Sequence, residues 1–369
     1  MKITDVTTIR LMYPLKEQIQ DGLSPISARD ALLVQIHTDA GIIGTGECAA
    51  FWVTKPVEVY IHENLKPCLL REDPIFVERL WEKMYKASFR HGRAGLAIIA
   101  MSGVDIALWD VVGQAAKTPL YRIFGQHKDK VQTYASAGYY AENKGPKELA
   151  DEMNSYVSEG FKAVKMKVGR ASVRDDIKRV EAVREAIGQD IDLMLDANNA
   201  WDTHTAMKMS KALEEYNPYF LEEPVSTDDI EGSAKVAANT TIPIAGYETE
   251  YTRFGFQRLI SAKAVDIVQP DPTWCGGLTE CRRIANIAST WGIPCIPHTY
   301  GAGISVLASL HFIVSTPNAP ILELGKDDNP LRDNLLDPPL LVQDGYVLLP
   351  DRPGLGAGLN SSVLGKYRI

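Results

Sequence analysis

Lys165 and Lys167 are separated by a single methionine, and from there an ionisable residue recurs at a steady interval: Asp196, Glu222, Glu248, Asp271, His298 and Glu323. Counted from Lys167, the gaps are 29, 26, 26, 23, 27 and 25 residues. Any one of these residues could be a solvated end, a helix cap or an ion-pair partner; in regular succession they read as one site. Asp196, Glu222 and Glu248 would repel one another if brought together, so they imply a bound cation, and all-oxygen ligation with room for substrate and water suits Mg²⁺ better than zinc. Two lysines spaced by two share one side of a strand. Ammonium groups held that close depress each other's pKa, leaving one usable as a base near neutrality. Asp271 can orient the His298 imidazole and fix its tautomer. A lysine base on one side, a His–Asp pair on the other and a metal between them suit abstraction of a proton α to a carboxylate, with Mg²⁺ holding the enediolate. The competing reading makes the acids structural ion-pair partners of the two lysines.

Such a set needs a scaffold that delivers one residue per βα unit. From about residue 130, short apolar runs (131–135, 163–168, 192–196, 219–222, 242–246, 266–270, 293–297 and 321–324) alternate with amphipathic helices. The helices have readable ends: Pro146 to Gly160, a stop at Gly188, a start after Thr203, and Leu278 to Gly292. Eight strands with intervening helices spell a (β/α)₈-type barrel, whose active site lies where strands end at their carboxyl side. A doubly wound sheet is the alternative, but no G-x-G-x-x-G follows the first strand. Before the barrel, residues 31–37 and Ile42–Gly44 form a hairpin and residues 94–116 a long, deeply buried helix. The expected division is an N-terminal α+β capping domain (1–125), the α/β barrel (126–325) and a C-terminal segment (326–369) that returns to the cap.

Composition closes off other classes. With 39 Lys plus Arg against 47 Asp plus Glu, the net charge is −8, which is not the footprint of a nucleic-acid binder. The five cysteines (Cys48, Cys68, Cys275, Cys281, Cys295) contain no C-x-x-C pair, so neither a zinc knuckle nor a disulfide framework is indicated. The first residues hold no apolar run of a signal peptide, and no apolar stretch of about 18 residues is evident, so a cytoplasmic protein without a membrane partner is expected.

Taken together, Lys165-x-Lys167, Asp196-Ala197-Asn198, Leu221-Glu222-Glu223-Pro224, the Glu248 turn, Gln269-Pro270-Asp271 with Gly276-Gly277, and Pro297-His298 make the chain resemble the enolase superfamily, in its mandelate racemase-like subgroup, over essentially its whole length. The resemblance implies Mg²⁺ at Asp196, Glu222 and Glu248. It implies Lys167 as one acid/base with Lys165 lowering its pKa, His298 oriented by Asp271 as the other, and Glu323 as a protonated donor to the substrate carboxylate. Asn198 would lie near metal and substrate, and Glu223 would stand behind the ligands. A homo-oligomer is expected on the same ground. One departure is Tyr247, which precedes Glu248 where relatives commonly carry Gly.

Many relatives with this lysine-plus-histidine arrangement dehydrate acid sugars, aldonates or aldarates, to 2-keto-3-deoxy acids; others open sugar-acid lactones, racemise or epimerise. Which fate applies depends on loops of the cap, here residues 14–29 (Lys16, Gln18, Gln20, Asp21, Ser24, Arg29) and the turn at Phe51 and Trp52. Arg29 and Trp52 are the expected substrate contacts. The polar first loop favours a polyhydroxylated small-molecule carboxylate, or simply faces water. Arg90-His91-Gly92-Arg93 reads either as a grip for a second carboxylate or as a solvated cluster. A Schiff-base aldolase would need one buried lysine and leave the three carboxylates and the His–Asp pair idle; a non-catalytic barrel would more plausibly have lost one of these groups.

Overall fold

A computed structural model describes residues 1–49 and 51–369. The chain opens with an antiparallel three-stranded sheet: β1 (Ile3–Gln20), β2 (Pro25–Thr38) and β3 (Ile43–Cys48). The segment expected as a loop over residues 14–29 is therefore strand on both sides. Only residues 21–24 turn, because the Asp21 carboxylate accepts the backbone N–H groups of Leu23 (2.8 Å) and Ser24 (2.7 Å). Helices α1 (Thr54–Tyr60), α2 (Val77–Ser88) and α3 (Leu96–Ala115) cover one face of this sheet.

Helix α3 corrects one expectation: it is long and apolar enough to cross a membrane by length and composition. It is instead packed inside the protein, with Asp105 bonded by the Thr279 N–H and hydroxyl and Asp110 by the Thr45 and Leu355 N–H groups. Those paired carboxylates mark it as a core helix.

The barrel follows as β4 (Val131–Ser136), α4 (Pro146–Ser158), β5 (Ala163–Lys167), α5 (Val173–Ile187), β6 (Asp192–Asp196), α6 (Thr203–Leu213), β7 (Phe220–Glu222), α7 (Ile230–Ala237), β8 (Ile244–Gly246), α8 (Thr252–Ser261), β9 (Ile267–Val268) and α9 (Gly277–Thr290). Then come α10 (Gly303–Ser315) and β10 (Ile321–Gly325), which pairs in parallel with β4. Strands β4 to β9 are parallel neighbours in chain order.

The run 293–297 is not a regular strand, contrary to expectation. Pro294 and Pro297 lack the N–H groups a ladder needs, and a single bridge joins Cys295 to Val268. The segment still fills its slot. One buried layer inside the barrel consists of Tyr134, Ala163, Met194, Phe220, Ala245, Ile267, Ile296 and Ile321, one residue from each of eight positions round the ring.

That layer sets which side chains face inward above it. Side chains alternate along a strand, so the residue two further on points the same way. Six of those eight positions are Lys165, Asp196, Glu222, Gln269, His298 and Glu323, with Lys167 one step above Lys165. Beyond β10, Tyr346–Val347 pairs with β4, while the helix Ser361–Tyr367 lies on β1, with the Tyr13 and Tyr367 rings 5.5 Å apart. The tail thus touches barrel and cap alike, and not the cap alone.

Candidate active site

At the carboxyl end of the barrel the inward-facing groups meet. Lys165 Nζ lies 2.7 Å from Glu222 Oε2 and 2.7 Å from Glu323 Oε1, with Asp196 Oδ2 at 3.7 Å. Lys167 Nζ donates to the same Asp196 Oδ2 at 2.5 Å. Across the site His298 Nδ1 is 2.8 Å from Asp271 Oδ2, and its Nε2 is 3.2 Å from Glu248 Oε2. Asp271 is fixed in turn by the Thr273 N–H (2.7 Å) and hydroxyl (2.6 Å).

Six acids (Asp196, Glu222, Glu223, Glu248, Asp271, Glu323) thus share one buried region with three cations (Lys165, Lys167, His298). The imbalance appears in the acids. Burial and then Asp196 push Glu222 up to about 8. Burial and Glu248 push Glu223 well above the carboxylate range, and burial raises Glu248 itself. Asp196 runs the other way, because Lys167 and Lys165 outweigh its burial. Among the described residues no set of three acids, histidines or cysteines forms a ready-made metal cage; each acid leans on a cation or on backbone. The donor chemistry nevertheless fits a hard divalent ion. Glu222 Oε1 and Asn198 Oδ1 are buried oxygens without a partner, and the acids outnumber the cations.

Backbone strain concentrates here too. Asn198 (φ 43°), Asn199 (φ 62°), Glu223 (φ 40°) and Tyr247 (φ 72°) are left-handed without being glycine, a conformation held only where the surroundings enforce it. The enforcing contacts are visible. Glu223 Oε1 accepts the N–H groups of Tyr247 (3.0 Å) and Glu248 (3.1 Å), and its other oxygen is bonded by the Asn199 amide. One carboxylate thereby holds the turn that presents Glu248. The φ of Tyr247 also explains why glycine suits this position.

Above the acids is a cavity of about 200 Å³, lined by Lys167, Asn198, Glu248 and His298 from the barrel and by Asp21, Leu23, Ser24, Ile26, Phe51 and Trp52 from the cap, with Trp274 and Tyr300 as aromatic walls.

Comparison with known proteins agrees with this geometry. Residues 3–125 match the profile described as mandelate racemase / muconate lactonizing enzyme, N-terminal domain, and residues 148–363 the profile described as enolase C-terminal domain-like. The chain belongs to the enolase superfamily, in its mandelate racemase-like group. It is 40% identical to an arabinonate dehydratase of Saccharolobus solfataricus, over 99% of both chains, and 34% identical to a D-galactarolactone cycloisomerase of Agrobacterium fabrum, over 100% of this chain and 99% of the other. Among solved structures, a racemase from Streptomyces coelicolor with bound magnesium superposes with a TM-score of 0.90 at 30% identity, covering both chains fully.

For an enolase-superfamily site, the expected lysines, acids and histidine all converge here, and three expectations change. Lys165 does lower Lys167, as expected, but the net shift of both lysines is upward. Burial pulls each ammonium down, but Glu222 and Glu323 around Lys165 and Asp196 beside Lys167 outweigh it and hold both well above the ordinary lysine range. Glu323 is no protonated donor in this arrangement. Burial would raise it, but Lys165 and His298 hold it at about 2, and it accepts the Thr299 N–H at 3.0 Å. Arg29 does not line the cavity. It is buried behind the Tyr300 ring, 4.1 Å from its centroid, and paired with Asp327, which Arg332 holds from the other side at 3.0 Å.

Other cap residues sort themselves similarly. Trp52 lines the cavity and is half exposed, whereas Lys16 points away to Asp328 at 3.3 Å. Arg90 and Arg93 are exposed and outside the cavity, so neither grips a ligand there. Two residues escaped the sequence reading. Gln269 faces inward two positions past Ile267, with both amide atoms buried and unpartnered, and Asn199 braces Glu223; strand alternation would have found the first.

Proposed function

We propose that the protein dehydrates an acid sugar, removing the proton α to the carboxylate and then the β-hydroxyl to leave a 2-keto-3-deoxy acid. The observation that carries this is the opposition of Lys165–Lys167 to His298–Asp271 across a buried acid cluster, beneath a cavity walled by the cap. Asp196, Glu222 and Glu248 would hold Mg²⁺. A divalent ion held there would supply charge that stabilises an enediolate.

Lys167 Nζ, which lines the cavity, would take the α-proton. His298 is suited to the second step. Burial lowers its pKa, but Glu248 and Asp271 outweigh that and lift it, and Asp271 on Nδ1 leaves Nε2 as the atom that would donate to the departing hydroxyl. Gln269 and Asn198 offer unpartnered polar atoms to substrate oxygens.

The cap favours a monocarboxylate, an aldonate, over a dicarboxylate. Asp21 places a negative charge in the outer wall, and Lys167 and His298, both engaged in the chemistry, are the cations among the lining residues. Similarity to the arabinonate dehydratase supports the same reading, and similarity to the galactarolactone cycloisomerase favours lactone opening as the second one.

The test is a screen of mono- and diacid sugars and their lactones with Mg²⁺, following 2-keto acid as its semicarbazone. Keto acid that EDTA abolishes and Mg²⁺ restores is the expected result. Solvent deuterium appearing in recovered substrate or an isomer, with no keto acid, would overturn dehydration in favour of isomerisation.

A further inference from the structure

Three of the seven barrel helices cap their own first turn with a side chain. Ser172, Asp202 and Asp229 accept the leading N–H groups of α5, α6 and α7. Helices α9 and α10 have no capping side chain of their own, since their N-cap residues are Gly276 and Ala302. The cap domain supplies both. Asp105 of α3 accepts the Thr279 N–H (2.9 Å) and hydroxyl (2.6 Å) at the start of α9, where Ser102 also accepts the Gly276 N–H at 2.8 Å. Glu47 of β3 accepts the Ala302 N–H (2.6 Å) with one oxygen and the Ser305 N–H (2.9 Å) with the other, at the start of α10.

These two helices are the ones that follow Asp271 and His298. Ala302 stands four positions after His298, and Gly276 five positions after Asp271. The same stretch of cap strand reaches both connecting loops, because the Ala49 N–H donates to Thr273 O at 3.0 Å. The fit is mutual: a Cβ at Gly301 would collide with Glu47, and one at Gly277 with Asp105. Downstream in the chain, Phe51 rests against Trp274 and Tyr300, the aromatic walls that come from those two loops.

We propose that Glu47 and Asp105 are positioning residues, cap-domain carboxylates that complete the N-termini of α10 and α9 and so fix the orientation of the His298–Asp271 pair. The inference rests on the reading of that pair as one of the two acid/base groups. It makes the seating of the cap a condition of histidine function as well as of substrate choice.

The full-length protein carrying Glu47→Gln tests this, since the amide keeps the shape but cannot accept both N–H groups; Asp105→Asn is the second variant if the first does not fold. Two controls lose comparable hydrogen bonds away from these loops. Asp110→Asn disturbs a cap carboxylate that accepts the Thr45 and Leu355 N–H groups, and Asp202→Ala removes the exposed cap of α6. The first readout needs no substrate: the His298 Nδ1–H resonance in ¹⁵N-histidine-labelled protein should shift or broaden in Glu47→Gln and stay put in both controls. The second is kinetic. With Mg²⁺ and the substrate found by the screen, kcat should fall about 10- to 100-fold with KM changed less than about threefold, because a small misplacement of a reacting group costs rate rather than binding.

A Glu47→Gln variant that is merely less stable, with its His298 resonance and kcat unmoved, would overturn the proposal, and so would controls that move them equally. If no acid sugar is dehydrated, the functional reading fails while the resonance still decides the positioning.

Discussion

Tyr247 sits at φ 72° with its ring 4% exposed, so two opposing energies meet at the residue before a proposed metal ligand. Left-handed backbone costs an L-residue about 1–2 kcal/mol, which glycine escapes, although glycine gives back about 0.5–1 kcal/mol in chain entropy. Removing a buried aromatic side chain costs about 3–5 kcal/mol. Burial wins, so Tyr247→Gly should destabilise by about 2–4 kcal/mol. Tyr247→Ala loses the ring and keeps the strain, so it should be about 1 kcal/mol worse than the glycine variant. Urea unfolding midpoints of the three proteins at one protein concentration give the order wild type, Gly, Ala. In both variants Glu223 still accepts the residue 247 and 248 N–H groups, so calorimetric Mg²⁺ affinity should move less than about threefold. An alanine variant as stable as the glycine one would refute the strain argument, and a glycine variant as stable as wild type would refute the burial argument.

Lys167→Met and His298→Asn should each lower turnover by at least about a thousandfold while Mg²⁺ still binds by calorimetry; near-wild-type rates in both variants would remove these residues from the chemistry. Asp21→Asn should raise kcat/KM for an aldarate at least about tenfold and leave that for the matching aldonate within about threefold, since a carboxylate a few ångströms away is repelled by Asp21 and a hydroxyl is not; equal changes for both substrates would sink the charge argument. His311 is fully buried, accepts the Tyr121 N–H (3.1 Å) on Nδ1 and donates from Nε2 to Leu355 O (3.0 Å), and burial depresses its pKa to about 4. The unfolded chain protonates it below about 6.5 and the folded protein only below about 4, so its contribution is complete above 6.5 and fades as pH falls to 4, by about 3 kcal/mol in total. Ring carbon shifts should show a neutral His311 at pH 5, and a charged ring there would contradict this.

What could be read from the residues was whatever periodicity controls. Strand alternation and the repeat length of a βα unit are local properties, so Lys165, Lys167, Asp196, Glu222, His298 and Glu323 could be aligned on one face before any coordinates. Three things were hidden because they depend on partners distant in sequence. Arg29 read as a substrate contact because a polar residue in an apparent loop looks free. Its pairing with Asp327 spans 298 positions, and nothing local announces it. A protonated Glu323 follows from the resemblance and a lowered lysine from its neighbouring lysine alone, whereas each lysine answers to acids contributed by other strands. The missing seventh strand was legible in principle, since two prolines flank Cys295, but hydrophobicity alone does not register a lost N–H.

The cap and the barrel divide the chemistry along a line the contacts make explicit. Groups that must lie within hydrogen-bonding distance of one another come from inward-facing barrel strands, where neighbouring strands space them and a packed layer below stops them sinking. Groups that wall the outer cavity come from the β1–β2 turn and the segment after β3, away from that layer. Glu47 crosses the line. It lies on the strand that leads into Phe51 and Trp52, yet its two oxygens are spent on the helix behind His298. A substrate that reseats the cap would therefore act on the histidine side of the reaction and leave the lysine side, built wholly on β5, where it was.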